Sequence, residues 1–389
     1  MIPYGRQDIN SDDIQAVIDI LNSDFLTQGP AIAAFEQAVA KYCNAPFAVA
    51  VNSATSALHI ACMALDVGPA DLVWTSAISF AASANCARYC GADIDFVDID
   101  PYTFNICPRA LEKKLEHAES QGRLPKVVIP VDMCGRSAPM QDIKRLADRF
   151  GFKTIEDASH AVGGIYNHQK IGGHGLADIT VFSFHPVKII TSAEGGMALT
   201  FDTSLAQRMS TLRTHGITRD GSRYEFKDQG AWYYEQHELG YNYRMTDLHA
   251  ALGMSQLKRI DEFVIEREKV RDFYQAALAP LEASGHISLP LANELGCKSA
   301  LHLYPIEIQD NSGKTRRQVF DSLRQQGIGV NVHYLPIYRH PYYQKLGFTK
   351  GYCVNAENYY ERAISLPMYA NLNVEKLNAI VTALGAALR

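Results

Sequence analysis

Three features of this sequence predict an α/β fold with a large, mostly parallel sheet domain and a small C-terminal α+β domain. Strand-like apolar runs alternate with helical patterns between residues 47 and 156, the arrangement that crossover-connected parallel strands require. At 389 residues the chain exceeds what one core usually supports, so two domains are expected. Beyond a long amphipathic pattern from about 260 to 284 the order changes: strand-like 303–308, helix-like 315–327, strand-like 328–333, then helices near 355–364 and 374–388. The expected division is 1–258, a large domain with an N-terminal segment, and 259–389, a small domain with its linking helix.

In order along the chain, residues 11–22 begin with capping side chains and repeat apolar positions at helical spacing. Leu26-Thr27-Gln28-Gly29-Pro30 breaks that pattern, and a second helix over 31–42 leads into the compact apolar strand 47–51. Further strands read at 71–76, 93–97, 126–132 and 152–156, with helices near 79–91, 108–118 and 140–150. Residues 179–184 alternate and β-branch like a buried strand, and after Gly195-Gly196 a return strand reads at 197–200. A helix near 204–214 precedes a polar, aromatic stretch, 218–236, expected to be a mobile loop; Gly240 to Asp247 then turns into an apolar helix through Leu257.

Composition narrows the function classes. With 47% hydrophobic and 20% charged residues the chain is ordinary globular protein, and no apolar run reaches the roughly 18 residues of a membrane span. Its first residues lack a basic region followed by an apolar one, so a cytoplasmic address is expected. A net charge of −5 without a basic run argues against a nucleic-acid surface. The eight cysteines are sparse, and Cys86 and Cys90 have no histidine at metal spacing; they read as reduced core residues, with no metal site.

Three strand ends carry chemistry. Lys188 lies between the strand 179–184 and the glycine pair; apolar confinement disfavours its charged form and frees a nucleophilic amine, although most lysines are simply solvated. Asn52-Ser53-Ala54-Thr55-Ser56 ends one strand and opens a helix, offering free N–H groups and hydroxyls to a phosphate; an ordinary N-cap reads the same way. Asp157 closes another strand, as a cap or as a functional acid. In α/β sheets ligands gather outside the carboxyl ends of the strands. An amine, a carboxylate and a phosphate cradle together match pyridoxal 5′-phosphate (PLP), which needs a lysine for its aldehyde, an acid for its ring nitrogen and donors for its phosphate.

The words Leu26-Thr27-Gln28-Gly29, Asn52 to Leu58, Glu156-Asp157-Ala158-Ser159-His160-Ala161, the Lys188 stretch and Gly240 to Asp247 make the chain resemble the DegT/DnrJ/EryC1/StrS sugar aminotransferases nearly end to end. The resemblance implies the PLP-dependent aspartate-aminotransferase fold (fold type I), with Lys188 carrying the cofactor and Asp157 facing its ring nitrogen. Ala54, Thr55 and Ser183 would hold the phosphate, His160 would reach the phenolic oxygen, and Phe80 would stack on the ring. Asn242 would come from a neighbouring subunit, making a homodimer with shared active sites. Sugar-nucleotide contacts would fall at Tyr4, Leu26, Thr27, Val332, His333 and Tyr334. Arg244 would help bind diphosphate or brace the Asn242 loop. One departure is Val187 and Ile189-Ile190 around the lysine, which alters packing and leaves the chemistry intact.

Within the family, His302-Leu303-Tyr304-Pro305, Val332-His333-Tyr334, Pro336-Ile337-Tyr338, Ser365-Leu366-Pro367 and Ala370-Asn371-Leu372-Asn373 resemble members that act in pseudaminic acid biosynthesis. The implied reaction moves an amino group, from glutamate or another amino-acid donor, to C4 of a UDP-linked 4-keto-6-deoxy N-acetyl sugar. Other nucleotide-linked keto sugars are the alternative substrates. A sugar 3-dehydratase of the group has histidine where Lys188 stands, and a non-catalytic member of the fold would be expected to lose the lysine or the acid. A NAD-binding Rossmann enzyme is disfavoured because no G-x-G-x-x-G follows the first strand.

Overall fold

Short apolar runs, each bounded by turn residues, form the central sheet of the computed structural model, which describes residues 1–227 and 229–389. The strands are β1 (Phe47–Val51), β2 (Leu72–Ser76), β3 (Asp93–Val97), β4 (Val127–Ile129) and β5 (Lys153–Asp157). After the small hairpin of β6 (Ile165–Tyr166) and β7 (Gln169–Lys170) come β8 (Ile179–Ser183) and β9 (Gly196–Thr200). The seven-stranded order is β1-β9-β8-β5-β4-β2-β3. β3, β2, β4, β5 and β8 are parallel neighbours, and β9 runs antiparallel to both β8 and β1. Since β1 and β8 each oppose β9, they run the same way, and Val51, Ser76, Asp157 and Ser183 end at one edge. All five positions of β8 and β9 are buried, as expected where helices cover both faces of a sheet.

The helices of this half are α1 (Ser11–Leu21), α2 (Pro30–Cys43), α3 (Ala54–Ala64), α4 (Ala82–Tyr89), α5 (Pro108–Ser120), α6 (Met140–Phe150), α7 (Thr203–Leu212) and α8 (Asp247–Leu257). α9 (Ile260–Ala283) then joins two cores. Its Ile260, Phe263 and Val264 pack with Phe35 and Phe182, whereas Val270, Tyr274 and Leu278 pack with Tyr304, Ile306 and Ile364. The second core lies under an antiparallel sheet of β12 (Ile287–Ser288), β13 (Tyr304–Ile308) and β14 (Ala363–Leu366), with α10 (Arg316–Gln325) and α13 (Val374–Ala387) against it. α11 (Pro341–Gln344) and α12 (Val354–Arg362) fold back: Tyr338, Tyr343 and Tyr359 share the core of Val73 and Phe96.

Several sequence expectations change. The β-like stretch 328–333 forms only single bridges, Ile2 with Ile328 and Asn331 with Ser365, because it is pinned between two segments at one residue each. The helix expected to reach 364 stops at Arg362, since Ala363 to Leu366 pairs with Tyr304 to Glu307. The strand expected over 126–132 ends at Ile129, ahead of Pro130, which has no N–H to donate to a ladder. The stretch 218–236 is closed at its base by β10 (Ile217–Thr218) and β11 (Glu235–Gln236). There the buried Glu235 accepts from the Glu225 and Phe226 N–H groups, 2.7 and 2.8 Å away. Asp228, within that stretch, lies outside the described residues.

Candidate active site

The edge where the strands end opens into a cavity of about 530 Å³, bordered on the far side by the segment Asn331 to Leu335. Lys188 stands on the excursion between β8 and β9, which is closed on itself: Phe184 N–H donates to Gly195 (2.9 Å), Ser192 N–H to Phe184 (2.9 Å) and Lys188 N–H to His185 (2.9 Å). Ile189 and Ile190 anchor it in the core beside Phe35 and Ala158, so the departure from the family's lysine word has become an apolar foot. Burial pushes the Lys188 ammonium down to about 8, partly opposed by the Asp157 carboxylate, and supplies the neutral amine that nucleophilic chemistry needs.

Asp157, at the end of β5, is buried, and both its oxygens are occupied. Oδ1 accepts the Ser159 hydroxyl at 2.5 Å and its N–H at 3.2 Å, and Oδ2 accepts the Ser83 hydroxyl at 2.6 Å. The cradle forms where β1 turns into α3. Ser53 caps the helix by accepting from Ser56 N–H at 3.1 Å, and Ser56 donates its hydroxyl to Asn52 at 2.6 Å. First-turn N–H groups of a helix have no intrahelical acceptor and attract anions. Ser183 pairs with Gly196 across β8 and β9, and a Cβ on Gly196 would lie 2.5 Å from Ala54 N; only glycine lets the strand approach the helix start so closely. Ala54, Thr55 and Ser183 all line the cavity.

His160 is buried with its Nε2 3.3 Å from the Tyr334 hydroxyl, while its Nδ1 has no partner. Burial holds its pKa well below the ordinary value, aided by repulsion from Lys188 and His333, so the ring is neutral. An unpaired buried nitrogen calls for a partner. Phe80 is 62% exposed at the rim, its ring centroid 6.3 Å from that of Tyr334, free to present a face to a planar ligand. On the outer wall Tyr4 lies 5.5 Å from His333, whose Nδ1 meets Ser365 Oγ at 2.8 Å. Val332 lines the same wall.

Leu26, Thr27 and Asn242 are not brought into this cavity. Thr27 bridges to Thr246, Leu26 O accepts Asp247 N–H at 3.0 Å, and Asn242 bridges to Thr214. Leu26, Thr27 and Asn242 are all exposed. Arg244, two residues after Asn242, has a buried, unpartnered Nε. Sequence reasoning gave no role to Ser83, which lies 74 residues from Asp157, or to His302, whose buried ring stands 4.3 Å from His160. His302 appears only within a family-like word, and Ser83 carries no local signal.

The family model for the DegT/DnrJ/EryC1/StrS aminotransferases matches residues 7–385. The chain belongs to this family. It is 36% identical over 377 residues, 96% of this chain and 94% of the other, to the UDP-4-amino-4,6-dideoxy-N-acetyl-β-L-altrosamine transaminase of Campylobacter jejuni. Its fold superposes on the Helicobacter pylori aminotransferase involved in pseudaminic acid biosynthesis with a TM-score of 0.89, at 31% identity and covering 100% of this chain and 99% of that one. A Streptococcus pneumoniae chain solved in its PMP form gives a TM-score of 0.89 at 28% identity, covering 100% of this chain and 99% of that one. Its PLP form gives 0.87 with 98% of that chain covered.

The protein is thus a PLP-dependent sugar aminotransferase of the α/β fold read from its sequence. The residues present fit the cofactor: a depressed lysine, a buried acid, an unpaired histidine nitrogen, and a helix start that glycine keeps open. Among the described residues no helix is long and apolar enough to cross a membrane.

Proposed function

We propose that this aminotransferase moves an amino group from L-glutamate to C4 of a UDP-linked 4-keto-6-deoxy N-acetyl hexosamine, UDP-2-acetamido-2,6-dideoxy-β-L-arabino-hex-4-ulose, in pseudaminic acid biosynthesis. The supporting observation is the cavity of about 530 Å³ that Lys188 shares with Tyr4, Phe80 and the Val332-His333-Tyr334 segment, three separate regions of the chain. Among the described residues no arginine lines that cavity, so it offers no fixed fork for a second carboxylate of the kind a dedicated amino-acid transaminase needs. UDP as the carrier follows the likeness to the Campylobacter enzyme.

PLP, when bound, supplies an aldehyde and an electron-accepting ring. Lys188 Nζ, whose pKa is lowered to about 8 so that a large share is neutral near that pH, takes the proton from the donor's Cα and later delivers one to C4 of the sugar, a service typically worth about 10²- to 10⁴-fold. Asp157 would keep the ring nitrogen protonated, and His160, with its unpartnered Nδ1, would be available to the cofactor's phenolic oxygen. Glutamate leaves as 2-oxoglutarate, and the ketone becomes an amine.

The same reading includes a cytoplasmic homodimer with shared sites and a domain division at 258/259, with α9 as the connection. In the dimer, Leu26, Thr27 and Asn242 of one subunit complete the cavity of the other; their exposure outside their own chain's cavity supports this. The test of the substrate is to offer the UDP-4-keto sugar, its dTDP and GDP analogues and a UDP-4-keto pentose with glutamate, and to follow 2-oxoglutarate. The UDP-linked N-acetyl sugar is expected to turn over fastest. Equal or faster turnover of another member of the panel would reject the pseudaminic acid assignment and leave the sugar aminotransferase intact.

A further inference from the structure

We propose that Ser83, backed by Ser79, is a positioning residue for the reaction: it locks the Asp157 carboxylate in the one orientation from which it can meet the cofactor's ring nitrogen. Ser83 sits in the first turn of α4 and is fully buried. Besides the Ser79 hydroxyl, its single hydroxyl proton has two acceptors in reach, Asp157 Oδ2 at 2.6 Å and Phe80 O at 3.3 Å. The shorter, charge-assisted bond takes the proton. Ser83 Oγ is then an acceptor for the Ser79 hydroxyl, 2.6 Å away. A directed chain runs from Ser79 through Ser83 to the acid.

The carboxylate is thereby gripped from two elements. Ser159, in the turn after β5, holds Oδ1 with two donors, and α4 holds Oδ2 with one. A carboxylate offers about four acceptor positions, so with three filled the remaining one is left for the ring nitrogen. Rotation about Cβ–Cγ of an aspartate is otherwise soft. Phe80 lies between Ser79 and Ser83 in sequence and lines the same cavity. One short segment therefore sets both the aromatic group beside the ring and the acid at its nitrogen.

The proposal rests on the family's PLP dependence and not on the identity of the sugar, and its test needs no sugar. PLP is titrated into the cofactor-free wild type and the variants Ser83→Ala, Ser83→Thr and Ser79→Ala, following the absorbance of the bound cofactor and its pH dependence. Ser83→Ala is expected to raise the PLP Kd by about tenfold and to move the pH at which the bound spectrum changes. Ser83→Thr, which keeps the hydroxyl, is expected to recover most of the affinity, and Ser79→Ala to show a smaller shift in the same direction. A Ser83→Ala enzyme with Kd and spectral pH profile both within twofold of wild type overturns the proposal, whatever its melting temperature. Should Ser83→Ala fail to fold, an unshifted Ser79→Ala overturns it equally.

Discussion

Burial pushes the Lys188 ammonium from 10.5 down to about 8 while Asp157 pulls it the other way, and this has a thermodynamic consequence apart from catalysis. Below about pH 8 the folded and unfolded chains both carry the proton, and the folded state bears the cost of the confined charge. Between about 8 and 10.5 the unfolded chain binds more protons at this site, so the stability contributed by Lys188 rises with pH. Cofactor-free Lys188→Met is therefore expected to be more stable than cofactor-free wild type at pH 7, with the gap closing toward pH 10.5. Urea denaturation at several pH values checks this. A gap independent of pH would mean that the ammonium is solvated. His160 and His302, both held neutral by burial, keep further positive charge away from the amine.

At the scale of elements, the site depends on an antiparallel return in an otherwise parallel sheet. β9 lies between β8 and β1 and sets Gly196 against the start of α3. A methyl group on Gly196 would press on backbone atoms Ser53 C and Ala54 N, both 2.5 Å away, whereas one on Gly195 would press on the side chains of Ser192 and Met245. Side-chain ends can turn aside; a helix start cannot. Gly196→Ala is expected to cost about 1–3 kcal/mol of stability and to weaken PLP binding by more than Gly195→Ala does. Denaturation and PLP titration of the two variants measure both effects. A Gly196→Ala enzyme with unchanged PLP affinity would show that the phosphate does not rest on this helix.

For the whole molecule, the informative fact is what the cavity lacks. Asn242, Leu26 and Thr27 are exposed and stand outside the cavity, held by the Thr27–Thr246 and Thr214–Asn242 bridges, while the other expected contacts line the cavity of their own chain. If two copies complete each other's sites, Lys188→Ala and Asn242→Ala chains, each impaired alone, form on mixing one site per hybrid dimer that carries neither lesion. Activity is then expected to rise toward about half of wild type per hybrid, read from 2-oxoglutarate release after subunit exchange. No recovery in a mixture shown to contain hybrids would assign Asn242 to its own chain's surface.

The chain's local patterns determined the alternation of strands and helices, the edge at which chemistry gathers and the three groups that name the cofactor. Each of these is a property of a few adjacent residues: β-branched runs bounded by turns, a capping word at a helix start, a lysine between a strand and a glycine pair. Non-local pairing decided the rest. Ala363 to Leu366 became a strand only because β13 was there to pair with it, and 328–333 failed to become one because single-residue bridges hold it. Ser83 meets Asp157 across 74 residues and His302 meets His160 across the boundary between two halves of the chain; a hydroxyl or an imidazole carries no sequence mark of the partner it will find. Periodicity records which side of its own element a residue faces, and the packing of elements against one another alone fixes what stands on the other side.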